Sequence, residues 1–220
     1  CKKMLKTLLS LLGVYKIYEK WLWYQVKNEV KPEHIAIVLD GNRRWALSRS
    51  LNPSMGHYYG ADKTEKMLRW CLDLDVKTMT LYVFSTENFQ RPQEEVEELM
   101  RLFEEKLQEI LKNEEIHKHR VRIKAIGRLN LLPEKLQKMI KMVEEATKDY
   151  DGHFLNFAIA YGGRAEIVDA AKEIAQNVRE GTMAPEEIDE DVFEKFLYTS
   201  HMPKQDPDLI IRTSGEERLS

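Results

Sequence analysis

The chain has 220 residues, 43% of them hydrophobic and 32% charged, which is enough to bury one substantial core and unlike the composition of a disordered segment. A formal charge of -3 excludes the global basic field of many nucleic-acid binders, so no nucleic-acid partner is expected and any anion site must be local. Two cysteines, Cys1 and Cys71, have neither zinc-site nor disulfide-framework spacing, and a reducing, cytoplasmic location is the expectation.

In chain order, residues 1–30 read first as a helical arm. Leu5, Leu8, Leu9, Leu12, Tyr15 and Trp23 recur at helical spacing with lysines among them. The favoured reading packs this arm on the domain; the rival docks it on a membrane surface, as basic amphipathic helices do. A signal peptide is disfavoured because no small-x-small cleavage site follows, and no apolar run reaches the roughly 18 residues of a spanning helix. The chain opens on Cys1 and closes on Leu219-Ser220 straight after a polar segment, so both ends are expected to lie inside a longer protein.

Residues 31–220 read as one domain in which short apolar runs alternate with helical patterns. That alternation predicts an α/β fold: a mainly parallel sheet flanked by helices. The predicted strands are His34–Leu39, Thr78–Phe84, Val121–Ile126, Phe154–Tyr161 and Leu209–Ile211. The predicted helices run over Tyr59–Leu74, Gln93–His117, Pro133–Tyr150 and Arg164–Glu180, with Pro92 and Pro133 at starts and Gly152 and Gly181 at stops. In the helix after Pro92, Val96, Leu99, Met100, Phe103, Leu107, Ile110 and Leu111 share one face, and the glutamates, largely on the other, are read as a solvated face.

Open parallel sheets bind ligands outside the carboxyl ends of their strands. The five predicted ends carry Asp40-Gly-Asn-Arg-Arg44, Ser85-Thr-Glu-Asn-Phe-Gln-Arg91, Gly127-Arg128, Gly162-Gly-Arg164 and Arg212-Thr-Ser-Gly-Glu-Glu-Arg-Leu-Ser220. Arginine recurs at all five, joined by glycines and hydroxyls, a combination that suits phosphate. Asp40 would repel a bare diphosphate unless a cation such as Mg2+ lay between them, or else it caps the following helix. His57 reads either as a loop histidine or as a phosphate contact, and Glu87 and Asn88 either as a turn or as a pair that orients substrate or relays a proton.

These segments, in order, closely resemble the motifs of the cis-prenyltransferases: His34-Ile-Ala-Ile-Val-Leu-Asp-Gly-Asn-Arg-Arg-Trp-Ala46, Gly56-His57, Tyr82-Val-Phe-Ser-Thr-Glu-Asn-Phe-Gln-Arg-Pro92, Ala160-Tyr-Gly-Gly-Arg164 and Ile211–Ser220. The resemblance implies a transferase that elongates an allylic diphosphate, farnesyl or geranylgeranyl, with isopentenyl diphosphate. It would form Z double bonds, yield a long-chain polyprenyl diphosphate, release pyrophosphate and work as a Mg2+-dependent homodimer. Asp40 would handle the metal, and Gly41, Asn42, Arg43, Arg44, Trp45 and His57 would hold the allylic diphosphate. Ser85 and Asn88 would assist proton removal or orientation, with Thr86, Glu87, Phe89 and Arg91 in support; Arg212, Arg218 and Ser220 would hold isopentenyl diphosphate. The stripe from Val96 to Ile110 would be core, or the wall of a tunnel for the growing chain.

Three departures stand out: Pro53 where many bacterial members carry arginine, Glu217 in place of a histidine, and an end at Ser220 before the family's last strand, helix and metal-binding acid. The form of the last motif and the long arm look archaeal or eukaryotic. The alternatives are a non-catalytic partner subunit, disfavoured because Asp40 is kept, and a different Mg2+-dependent phosphate enzyme, disfavoured because Asp40-Gly-Asn42 lacks a second acid. A trans-prenyl synthase is disfavoured for want of an Asp-Asp-x-x-Asp motif.

Overall fold

A computed structural model describes residues 13–216. The chain divides into two compact units, Cys1–Pro32 and Glu33–Ser220. In the first unit, α1 spans Val14–Val26 after Gly13, whose φ of 71° is left-handed, and none of its residues is buried. The rest of the arm predicted over residues 1–12 lies outside the described residues.

In the second unit five parallel strands form one sheet: β1 (His34–Val38), β2 (Thr78–Ser85), β3 (Val121–Ile126), β4 (His153–Tyr161) and β5 (Leu209–Arg212), in the order β3-β4-β2-β1-β5. All five predicted runs are strands, with boundaries that move by one residue. The helices are α2 (Asn42–Leu47), α3 (Pro53–Asp73), α4 (Gln93–Leu111), α5 (Glu114–Lys118), α6 (Glu134–Thr147), α7 (Gly163–Arg179) and α8 (Glu190–Lys195).

One face of the sheet is apolar. Ile37, Met79, Leu81 and Leu155 pack there with Leu99, Met100 and Leu107 of α4 and Leu136, Ile140 and Val143 of α6. Burial on this scale, at about 25 cal/mol per Å² of apolar surface, is what holds the helices to the sheet. A register shift between Tyr82 and Phe84 inserts one extra residue into β2. Phe84 is thereby turned onto the apolar face, fully buried against Phe89 and Phe103 at ring separations of 4.9 and 6.2 Å. The opposite face carries His34, Thr80 and Asn156, and His201 and Met202 close over it: His34 Nε2 lies 2.8 Å from Thr80 Oγ1, and His201 Nε2 2.8 Å from Asn156 Oδ1.

The open edge at β3 is covered by side chains of α6. The amides of Ile123 and Ala125 donate to Thr147 Oγ1 (3.1 Å) and Glu144 Oε1 (2.9 Å), which blunts strand addition there.

Four local readings of the sequence need correction. α3 begins at Pro53, six residues before the expected start at Tyr59, because Asn52 accepts from the Ser54 amide at 3.1 Å and proline suits the first helical position. The helix expected over Gln93–His117 is two: Asn113 accepts from the Glu115 amide at 3.0 Å and starts α5. Gly152 is no helix stop, since α6 ends at Thr147; a Cβ on it would come within 2.3 Å of the His119 carbonyl oxygen, so close approach of backbone requires glycine there. The glutamates of α4 are not all solvated, for Glu104 is buried and paired with Lys135 at 2.5 Å.

Candidate active site

β1 ends beside β5, and the two termini are tied through Thr213. Its hydroxyl donates to the Asp40 carbonyl at 2.6 Å, and the Asp40 amide donates to Thr213 Oγ1 at 3.0 Å. The chain then turns at Gly41, with φ of 87°; a Cβ there would meet Ser214 at 3.3 Å, so only glycine fits without strain.

The Asp40 side chain is thus delivered to Arg212. Nε and Nη2 of Arg212 both donate to Asp40 Oδ2, at 3.0 and 2.7 Å, and the Gly41 amide donates to Oδ1 at 2.6 Å. Arg44 lies 3.7 Å from the same Oδ2 and 2.7 Å from Glu216 Oε1. Burial pushes the Asp40 carboxyl up, but the hydrogen bonds from Arg212, Ser214 and Gly41 outweigh it and hold the group below the usual carboxylate range. Asp40 is an ionised acid set among cations.

A second cluster lies on the first turn of α4. Glu95 Oε1 is 3.1 Å from Arg91, 3.5 Å from His57 and 3.6 Å from Arg43. Burial lowers the His57 pKa, partly offset by the Glu95 carboxylate, so the imidazole is neutral at pH 7. The sequence reading missed Glu95, grouping it with the solvated glutamates. The available signal was its place in the first turn after Pro92, where the helix dipole favours an acid.

Both clusters open on a cavity of about 1830 Å³. Asp40, Gly41, Asn42, Arg43, Arg44, His57, Ser85, Thr86, Glu87, Asn88, Arg91, Arg164 and Arg212 line it at the carboxyl ends of the strands. Towards the other end of the strands the lining becomes Leu68 of α3 and Leu99, Phe103, Leu107 and Ile110 of α4, so much of the predicted stripe faces open space as well as core. The lining also takes in His34, Thr80 and Met202 on the opposite face, so no single ligand has the whole volume.

Not every candidate residue is brought here. Trp45 does not line the cavity; its ring lies 4.9 Å from that of Tyr59, with the Arg49 guanidinium 4.2 Å away. Phe89 belongs to the apolar core beside Phe84. Arg128, at the end of β3, is held by Asp169 through two hydrogen bonds of 2.8 and 2.9 Å and lies away from the cavity. Strand order explains this, because β4 and β2 separate β3 from β1. Asn88 Oδ1 accepts from the Ser85 amide at 3.1 Å, so its carbonyl end holds the turn over Thr86–Gln90 and only its amide nitrogen can be offered to a ligand. His57 sits within α3, not in a loop. Arg218 and Ser220, with Glu217, lie outside the described residues.

Among the described residues no group of three or more His, Cys, Asp or Glu side chains could hold a metal by itself. Asp40 alone nevertheless suits Mg2+, which is commonly held by one or two carboxylates, water and substrate phosphate oxygens.

Residues 38–220 match the undecaprenyl diphosphate synthase (prenyltransferase) family model. Among curated relatives, the tritrans,polycis-undecaprenyl-diphosphate synthase (geranylgeranyl-diphosphate specific) of Methanocaldococcus jannaschii is 54% identical over 94% of this chain and 74% of its own length. The protein of the same name from Methanopyrus kandleri is 53% identical over 96% of this chain and 77% of its own. The crystal structure of lavandulyl diphosphate synthase from Lavandula x intermedia, in complex with dimethylallyl diphosphate, superposes with a TM-score of 0.83 at 39% identity, covering 88% of this chain and 82% of that one.

Proposed function

Because the chain belongs to the undecaprenyl diphosphate synthase family of prenyltransferases, we propose that it elongates an allylic prenyl diphosphate with isopentenyl diphosphate into a long-chain Z-polyprenyl diphosphate, releasing pyrophosphate. The observation that carries this reading is one cavity, cationic around Asp40 and Glu95 at the strand ends and apolar along α4. From Leu99 to Ile110 the α4 wall of the cavity runs about 16 Å at 1.5 Å per residue, room for a hydrocarbon chain of a few isoprene units. The curated relatives' names favour geranylgeranyl diphosphate over farnesyl diphosphate as the starter.

Arg43, Arg44 and His57 hold the allylic diphosphate and stabilise its charge as the C–O bond breaks. Arg212, with Arg218 and Ser220, orients isopentenyl diphosphate, whose double bond attacks the allylic carbon as diphosphate leaves. A proton is then lost from C2 of the isopentenyl unit to the departing diphosphate, and its electron pair forms the new Z double bond. Ser85, Thr86 and Glu87 line the reacting region, and the Asn88 amide orients a substrate oxygen. Mg2+, held by Asp40 and substrate phosphate oxygens, would neutralise the diphosphate that departs. The enzyme works in the cytoplasm, in keeping with two cysteines that lack disulfide spacing, and as a homodimer, as the resemblance to the cis-prenyltransferases implies.

The protein is incubated with Mg2+, labelled isopentenyl diphosphate and starters of increasing length, and the extracted lipids are sized. A ladder of products from geranylgeranyl diphosphate is expected. No incorporation from any starter overturns the reading.

A further inference from the structure

Charge is unevenly distributed along this chain. Residues 1–27 contain six lysines against Glu19 alone, a formal +5, so the remaining residues carry -8 of the total of -3. At roughly 100° per residue, Lys16, Lys20 and Lys27 of α1 and its cap fall within about 40° of one another. Trp23 and Tyr24 flank this strip, and Lys27 Nζ lies 5.0 and 4.4 Å from their ring centroids.

The arc away from the lysines is apolar and aromatic apart from Gln25. Ile17 is 69% exposed, Tyr18 55% and Trp21 51%, with Leu22 and Val26 beside them. Tyr18 and Trp21 stack at 5.7 Å. Tyrosine and tryptophan combine an apolar body with a polar tip and concentrate at the boundary between hydrocarbon and water. Among the described residues no helix is long and apolar enough to cross a membrane.

We propose that α1 is an interfacial helix that lies on an anionic lipid bilayer, with Ile17, Tyr18, Trp21 and Leu22 in the acyl boundary and Lys16, Lys20 and Lys27 at the headgroups. A bilayer is the occupant to which both faces are complementary: a narrow cationic strip for lipid phosphates and a broad aromatic arc for the boundary. An acidic remainder is repelled by the same surface, which confines contact to the basic segment. The proposal does not rest on the substrate reading, since a failed elongation assay leaves it standing.

The test is co-sedimentation of the full chain with phosphatidylcholine vesicles, with and without phosphatidylglycerol, alongside elongation activity in detergent. Binding that requires phosphatidylglycerol and weakens with salt is expected. Lys16→Glu/Lys20→Glu and Ile17→Asp/Trp21→Asp should each weaken it about tenfold or more, while Lys16→Arg/Lys20→Arg retains it and all variants keep activity in detergent. Equal binding to both kinds of vesicle, wild-type binding by the Ile17→Asp/Trp21→Asp variant, or no vesicle binding at all overturns the proposal. So does an apolar-arc variant that unfolds the catalytic unit, because the arc would then belong to the protein's own packing.

Discussion

Replacing Asp40 by asparagine keeps the shape of the side chain and an oxygen for the Gly41 amide but removes the charge that faces Arg212 and Arg44. Two charge-assisted hydrogen bonds from Arg212 would be worth several kcal/mol in a dry site, but the Asp40 side chain is 30% exposed and Arg212 keeps Glu216 at 3.8 Å. With that screening, folding stability should fall by only about 1 kcal/mol. Turnover should fall far more. Removing one preorganised group that acts on developing charge typically costs about 100- to 1000-fold in kcat, or roughly 3–4 kcal/mol. Binding should move the other way: one negative charge a few ångströms from a diphosphate is worth about 1–3 kcal/mol at intermediate dielectric. Metal-free pyrophosphate should therefore bind about tenfold tighter to Asp40→Asn. Steady-state kinetics with calorimetric titration of pyrophosphate, with and without Mg2+, reads both effects. Normal kcat, or pyrophosphate binding weakened without metal, would refute the reasoning.

Glu95→Gln removes the carboxylate that raises the His57 pKa, so the imidazole should titrate lower still, as read by NMR, and pyrophosphate should bind more tightly once Arg43 and Arg91 lose their counter-charge; an unchanged His57 titration would place Glu95 outside its field. His34, His57 and His201 are held below the ordinary 6.5, chiefly by burial. Each stays neutral in the fold while the unfolded chain takes up protons, so the stability they confer is full above about pH 6.5 and is lost as pH falls through their folded values. Calorimetry from pH 8 to 5 should show a falling Tm, with a shallower slope in His201→Asn; a flat profile would be inconsistent with burial of neutral histidines. Gly56→Ala would put a Cβ 2.1 Å from the Asn42 carbonyl oxygen, a backbone contact that cannot yield cheaply. It should cost about 1–3 kcal/mol and displace the segment after Asp40, lowering both Tm and kcat; wild-type values for both would show that α2 and α3 are not packed this tightly.

The strands were legible because each is a short, mostly apolar run bounded by polar segments, and all five, from His34–Val38 to Leu209–Arg212, stand out from their surroundings. Their polar ends were legible as well, since Asp40, Ser85 and Arg212 follow the predicted runs directly and Arg91 and Arg164 come within a few residues more. Capping was harder to read. Asn52-Pro53 starts α3 and Asn113 restarts a helix, and both signals are single residues that compete with the surrounding periodicity. Trp45 and Arg128 sit in suggestive company along the chain, yet their partners are Tyr59 and Asp169.

What the sequence by itself determined was therefore local: which segments are strands, which residues stand at their ends, and the chemistry those residues favour. The tertiary structure decided which ends meet. Strand order placed β1 between β2 and β5, so Asp40 faces Arg212 across 172 residues of chain, while β3 and its Arg128 were carried to the far edge. It also turned Glu95 inward onto Arg43, His57 and Arg91. Hydrophobic periodicity specifies which side of a helix or strand is buried, but it carries no record of the neighbour against which that side is laid.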